Sequence, residues 1–357
     1  MKDTCTAATV HLKEKKSFLT RDESSAIKGL LMFFILFVHT EMLTTDFVTG
    51  QKTFFRTWLF TFHVYVYFIL PFIYGYQRHC ESESSGFQCV VKDLKHNLIK
   101  LGVPYCWFFM FSAIIFVVAG GGTFDLRGML YAFVFGNLPL FDQYIGFEFL
   151  WFMPAMLSLM TLKSVWFNSK PIVRSVIVFV SIVLWGLTIT KVIARYSIGM
   201  YVPFALSQAF YFILLGLLSR WFTEKRFPIK WQMPVVLLLI GVCTVALYYH
   251  DTLDGTRLDV YSILKLVMPV LMFLLLYSMR NMLGKSRVLK FIGIYSLQIY
   301  LVQVFVVNAL SVLFLHFTDE SIGLGVVIYV LTLLISVGLS LLMVKVPIIN
   351  KILFPKS

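Results

Sequence analysis

Two ionisable residues stand inside an apolar run near the start of the chain, spaced as one helical stripe would space them. Lys28 opens the run and His39 lies near its far end. Eleven positions at 100° each make three turns plus about 20°, so both share a face, with Arg21, Met32 and Ile35 on the same stripe. At 1.5 Å per residue their axial separation is about 16–17 Å. An ionisable residue inside a membrane helix points to function by default. A neutral imidazole can take a proton from a hydroxyl near pH 7, which makes His39 the candidate general base. The competing reading is a histidine that packs helices through a hydrogen bond.

Other residues could join that chemistry. Glu148, in FEFLWFMPAM, opens a later crossing on the same outer side and is the candidate to orient His39. Glu41 is two positions past His39, about 200° around the helix, and faces away unless the helix ends there. His63, in FTFHVYVY, lies at a depth similar to His39; it is either a second polar group of the site or a packing residue whose tip reaches the interface. Lys28, Arg78, Lys92, Lys95 and Lys100 gather at the opposite ends of the first three helices. Membrane topology alone accounts for Lys92, and less well for Lys28 and Lys100, which begin apolar spans. His79, Cys80, Cys89 and His96 share one loop, but C-x8-C with flanking histidines matches no zinc spacing, so no metal is expected. Asp259 and Lys265 begin another crossing and are given no role.

The elements that must position these groups are membrane helices. The 357 residues are 59% hydrophobic and only 14% charged, against roughly 25% charge in soluble domains. A polar, basic start with no small-residue cleavage site argues against a cleaved signal peptide. Five scattered cysteines give no disulfide framework. Apolar spans fall at 26–43, 57–76, 98–119, 149–165, 172–194, 201–218, 233–249, 259–279, 291–315 and 323–346, ten crossings in an all-α integral membrane fold. The first opens on a T-x-x-E capping box, Thr20 to Glu23. The longest connection, 77–97, reads as a loop.

A weaker run, 128–141, is broken by Gly136, Asn137 and Pro139. If it does not cross, 24 of the 31 Lys and Arg residues fall on the side of the termini, which places both termini in the cytoplasm. If it crossed, that bias would collapse. It is therefore expected to be a re-entrant or interfacial segment on the outer side. Broken backbone at membrane depth is tolerated only where it lines a cavity or is buried in protein, so this segment is a candidate wall of the site. The net charge of +13 then reflects basic flanks facing anionic lipid, and no nucleic-acid partner is expected. The chain divides into a basic cytoplasmic tail, 1–25, a transmembrane domain, 26–346, and a short cytoplasmic tail, 347–357.

With these residues in view, the chain resembles the acyltransferase-3 family of membrane O-acyltransferases in its stand-alone form, without a soluble domain. The basic residue and histidine of the family's first helix are matched by Lys28-Gly29 and His39. Its Trp-Phe-Leu-Pro block is matched by Leu150-Trp151-Phe152-Met153-Pro154-Ala155, its F-x-x-G-x-L segment by Tyr211 to Leu218, and its G-x-x-S-x-x-I-Y-L-x-H block by Gly293 to Gln303. There are departures. Gln303 stands where the family often has histidine, and Asn97 and Lys100 stand where an arginine pair is common, ahead of Val103-Pro104-Tyr105. Tyr74-Gly75-Tyr76 replaces Ser-Gly-Tyr before Arg78.

The resemblance implies transfer of an acyl group, usually acetyl, from cytoplasmic acyl-coenzyme A to a hydroxyl of a surface glycan or a lipid-linked glycan precursor, with no metal. A phosphopantetheine arm of about 13 bonds spans roughly 16 Å, close to the Lys28–His39 rise. On this reading Lys28, Arg78, Lys95 and Lys100 bind the donor's phosphates, and His39 is base or transient acyl carrier. His63, Trp151 and Asn137 meet the acceptor under the 128–141 segment. The setting is the cytoplasmic, or inner, cell membrane. The rival class is a transporter or flippase of a glycolipid or small solute, without chemistry.

Overall fold

The computed structural model describes residues 19–45, 54–63, 65–70, 86–119, 122, 124–136, 138–189, 212–217, 229–252, 260–315 and 322–355. Among them the secondary structure is helical, with no strand. Five stretches are long and apolar enough to cross a membrane: Arg21–Glu41, Gly86–Val118, Phe149–Asn168, Ser296–Phe314 and Leu324–Lys345. Three shorter apolar helices, Pro171–Leu187, Met233–Tyr249 and Val267–Ser278, coincide with three more of the ten expected spans. The expected spans 57–76 and 201–218 lie partly outside the described residues. The chain is thus helical and multi-pass.

Helix α1 (Arg21–Thr45) is the central element. Its start is the capping box: the Glu23 amide donates to the Thr20 hydroxyl at 3.2 Å, and the Thr20 amide donates to the Glu23 carboxylate at 2.7 Å. Two of the four amides left unpaired at the helix start are satisfied in this way. Ala26, Ile27, Leu31, Met32, Ile35, Leu36 and Val38 are all buried. These positions run around most of the helix, as expected for a helix surrounded by other helices.

Two glycines set the closest packing of α1. Hydrogen replaced by Cβ at Gly29 would run into the Leu289 carbonyl, and at Gly293 into the Ser25 carbonyl. The backbones therefore cross at a distance that only small residues allow. Gly29 follows the basic residue of the first motif and Gly293 opens the last, so the two sequence blocks meet in space. Around that crossing, Lys290 pairs with Asp22 at 2.9 Å and Arg280 with Glu23 at 3.8 Å.

The region 77–97, expected to be a loop, contains helix α2 (Gly86–Asn97). The expectation failed because that helix is amphipathic, and its Lys92, Asp93, Lys95, His96 and Asn97 keep its mean hydropathy low. Asp93 accepts from the Ser164 hydroxyl at 2.6 Å, which ties α2 to α5 (Phe152–Asn168). A π-helical turn, Leu98–Gly102, carries the chain into an apolar helix, Val103–Val118.

The broken segment 128–141 forms α3 (Leu126–Phe135) and α4 (Leu138–Ile145). Asp125 caps α3 by accepting from the Gly128 amide at 3.0 Å, and Gly136 ends it at φ 58°, a conformation that glycine adopts without Cβ strain. At 1.5 Å per residue neither helix exceeds about 15 Å, half the hydrocarbon core. The hairpin is docked by Tyr105, which stacks on Phe133 at 4.9 Å and donates to the Phe133 carbonyl at 3.1 Å. The chain then passes Gly146 (φ 61°) and a 3₁₀ turn, Glu148–Trp151, into α5.

Candidate active site

α1 carries His39 into the protein interior, where the residue is 8% exposed. Its Nδ1 lies 2.8 Å from the carboxamide end of Gln303 placed as Nε2, in a hydrogen bond whose direction depends on which end of the amide faces the ring. Gln303 belongs to α6 (Ser296–Leu315) and is wholly buried. The ring of Phe149, from the 3₁₀ turn, stands 4.0 Å from the imidazole, and that of Tyr300 stands 5.9 Å away. The Tyr300 hydroxyl donates to the Phe149 carbonyl, so one bond joins the turn to α6 beside His39. Phe149 and Tyr300 also line a small apolar pocket with Phe108, Phe147, Val304 and Phe305.

His63 is buried and close enough to His39 for the two rings to interact electrostatically. Its Nδ1 lies 2.6 Å from the Leu59 carbonyl. A carbonyl only accepts, so Nδ1 carries the proton and Nε2 of the neutral ring is an acceptor.

At the other end of the stripe, the Lys28 ammonium interacts repulsively with that of Lys100, which the π-helical turn presents. Neither lysine has a carboxylate partner among the described residues. Their combined positive potential favours an anion near this end of α1. Between the ends, Met32 and Ile35 are 1% and 2% exposed, so the stripe is packed. An arm running along it has to part these side chains from their neighbours.

The remaining candidates divide. Trp151 is half-buried against Phe68 and Phe152, at 6.2 and 6.3 Å between ring centres, two positions from Phe149. Lys95 is exposed on α2. Glu148 begins the 3₁₀ turn, but its side chain lies outside the described residues, as do Arg78 and Asn137 altogether. Glu41 is buried on a helix that continues to Thr45. Sequence reasoning missed Gln303, Tyr300 and Phe149 as neighbours of His39. The one available signal was that Tyr300 and Gln303, three positions apart, share a face of the last motif.

A family model described as an acyltransferase domain matches residues 22–344, nearly the whole chain and every element of this site. No curated protein and no solved structure gives a significant match. On the breadth of the family match, the chain belongs to the acyltransferase-3 family.

Proposed function

We propose that this protein transfers an acyl group, acetyl first among candidates, from cytoplasmic acyl-coenzyme A to a hydroxyl of a surface glycan or its lipid-linked precursor. One observation carries the reading. A buried, hydrogen-bonded imidazole and a lysine occupy opposite ends of one helical stripe, separated by about the length of a pantetheine arm, and a second lysine on the π-helical turn interacts with the first. The family match favours acyl transfer over transport without chemistry.

The donor's phosphates sit at Lys28 and Lys100, with Arg78 and Lys95 as further cations of the mouth. The arm runs beside Met32 and Ile35, and the thioester carbonyl reaches the neighbourhood of His39. There the acceptor hydroxyl gives its proton to the imidazole as its oxygen attacks the carbonyl carbon. The carbon–sulfur bond then breaks, the thiolate takes up the proton, and an ester remains on the acceptor. His63 and Trp151 face the acceptor, with Asn137 from the connection between α3 and α4. Glu148 supports the site from the 3₁₀ turn. The positive-inside bias places the lysine end, tails 1–25 and 347–357, and the donor on the cytoplasmic side of the cell membrane.

The test is acyl-coenzyme A turnover by purified protein in detergent, together with analysis of surface-glycan esters in cells with and without the protein. His39→Ala is expected to remove both thiol release above background and the glycan ester. Full turnover in that variant overturns the mechanism. Intact glycan export with no acyl transfer by the wild type overturns the class.

A further inference from the structure

A neutral imidazole has one N–H, and whichever nitrogen holds it leaves the other as the base. At His63 a main-chain carbonyl settles the matter. At His39 the decision falls to a side chain, because Nδ1 is bonded to the carboxamide of Gln303. The two ends of a carboxamide are nearly isosteric, so the 2.8 Å separation fits either polarity and the chemistry has to choose.

Two arguments choose alike. If the amide nitrogen donated to Nδ1, the proton of His39 would sit on Nε2 and that nitrogen could not accept another. If the amide oxygen accepts from Nδ1–H, Nε2 has its lone pair. The second argument concerns the far end of the amide, which is buried and has no hydrogen-bond partner among the described residues. With the oxygen toward the ring, that end is an NH₂ group, a donor in a buried site where negative charge develops on oxygen during acyl transfer. With the nitrogen toward the ring, it would be a carbonyl oxygen whose dipole opposes that charge.

We propose that Gln303 is the positioning residue of His39: its amide oxygen accepts the proton on Nδ1 and so makes Nε2 the basic nitrogen. The assignment rests on the reading of His39 as general base. It explains how a chain with glutamine in this place fixes the state of His39.

Two experiments test it. In protein labelled with ¹⁵N-histidine, the His39 ring signals, assigned by their loss in His39→Ala, are expected to show a protonated Nδ1 and a bare Nε2. A bare Nδ1 overturns the proposal, whatever the activity. In kinetics, Gln303→Leu is expected to lower kcat by about 100-fold or more, with donor KM within about threefold. Gln303→Glu, which is shaped like glutamine and accepts a hydrogen bond, is expected to recover at least about a tenth of wild-type kcat. Equal loss in the two folded variants overturns the positioning role. Full activity in His39→Ala would instead defeat the base assignment, leaving the spectroscopic result to stand by itself.

Discussion

Lys28 and His39 are ends of one stripe with opposite demands, and kinetics can pull them apart. A lysine that only holds a phosphate contributes equally to the bound donor and to the transition state, so its loss appears in KM. A hydrogen bond to a charged group contributes roughly 1.5–3 kcal/mol, about 10- to 100-fold in affinity. Lys28→Ala is therefore expected to raise the donor KM about tenfold or more and leave kcat within a factor of about three. Initial rates against acyl-coenzyme A concentration check this, and a kcat loss at unchanged KM would move Lys28 into the chemistry. The Lys28–His39 relation was legible in the sequence because both residues sit on one helix, where spacing alone dictates direction. The bond to Gln303 was not, since the partners are 264 positions apart and no local pattern records which helices pair.

At the level of the element, the crossing of α1 with the helix carrying Gly293 holds the stripe in place. A methyl group at Gly293 meets Ser25 backbone atoms, which cannot swing aside as a side-chain tip would. Alanine gains roughly 0.8–1 kcal/mol of helix propensity over glycine, while overpacking costs about 1–3 kcal/mol, so the clash wins. Gly293→Ala and Gly29→Ala are expected to lower the thermal midpoint in detergent by several degrees. Gly338→Ala has open space around its new methyl group and is expected to leave the midpoint unchanged or slightly raised. Equal behaviour of all three by scanning fluorimetry would remove the crossing from the account. The glycines were visible in the sequence as motif letters, but the reason for them appears only where the two motifs touch. Apolar runs such as Ser296–Phe314 were readable because lipid demands unbroken hydropathy. Helix α2 escaped notice because its polar face breaks up the apolar run.

For the whole molecule, the ends of α1 sort everything else. Asp22, Glu23, Lys28, Lys100, Arg280 and Lys290 cluster at its start. Near His39 lies Phe149, four residues past the end of α4, so the α3–α4 hairpin belongs to the opposite end. If the hairpin does not cross, α2 and the connection before Pro171 share one side, and the start of α3 lies on the other. Lys92, Lys170 and Arg127 are exposed at these places. In a cysteine-free background on intact cells, Arg127→Cys is expected to react with a membrane-impermeant thiol reagent. Lys92→Cys and Lys170→Cys are expected to react only after permeabilisation. A crossing hairpin would put positions 92 and 170 on different sides, and labelling of either lysine position in intact cells would overturn the arrangement. The outcome bears on chemistry as well as topology. On the proposed reading, a cytoplasmic acyl-coenzyme A donor reaches His39 only if the lysine end of α1 opens inward.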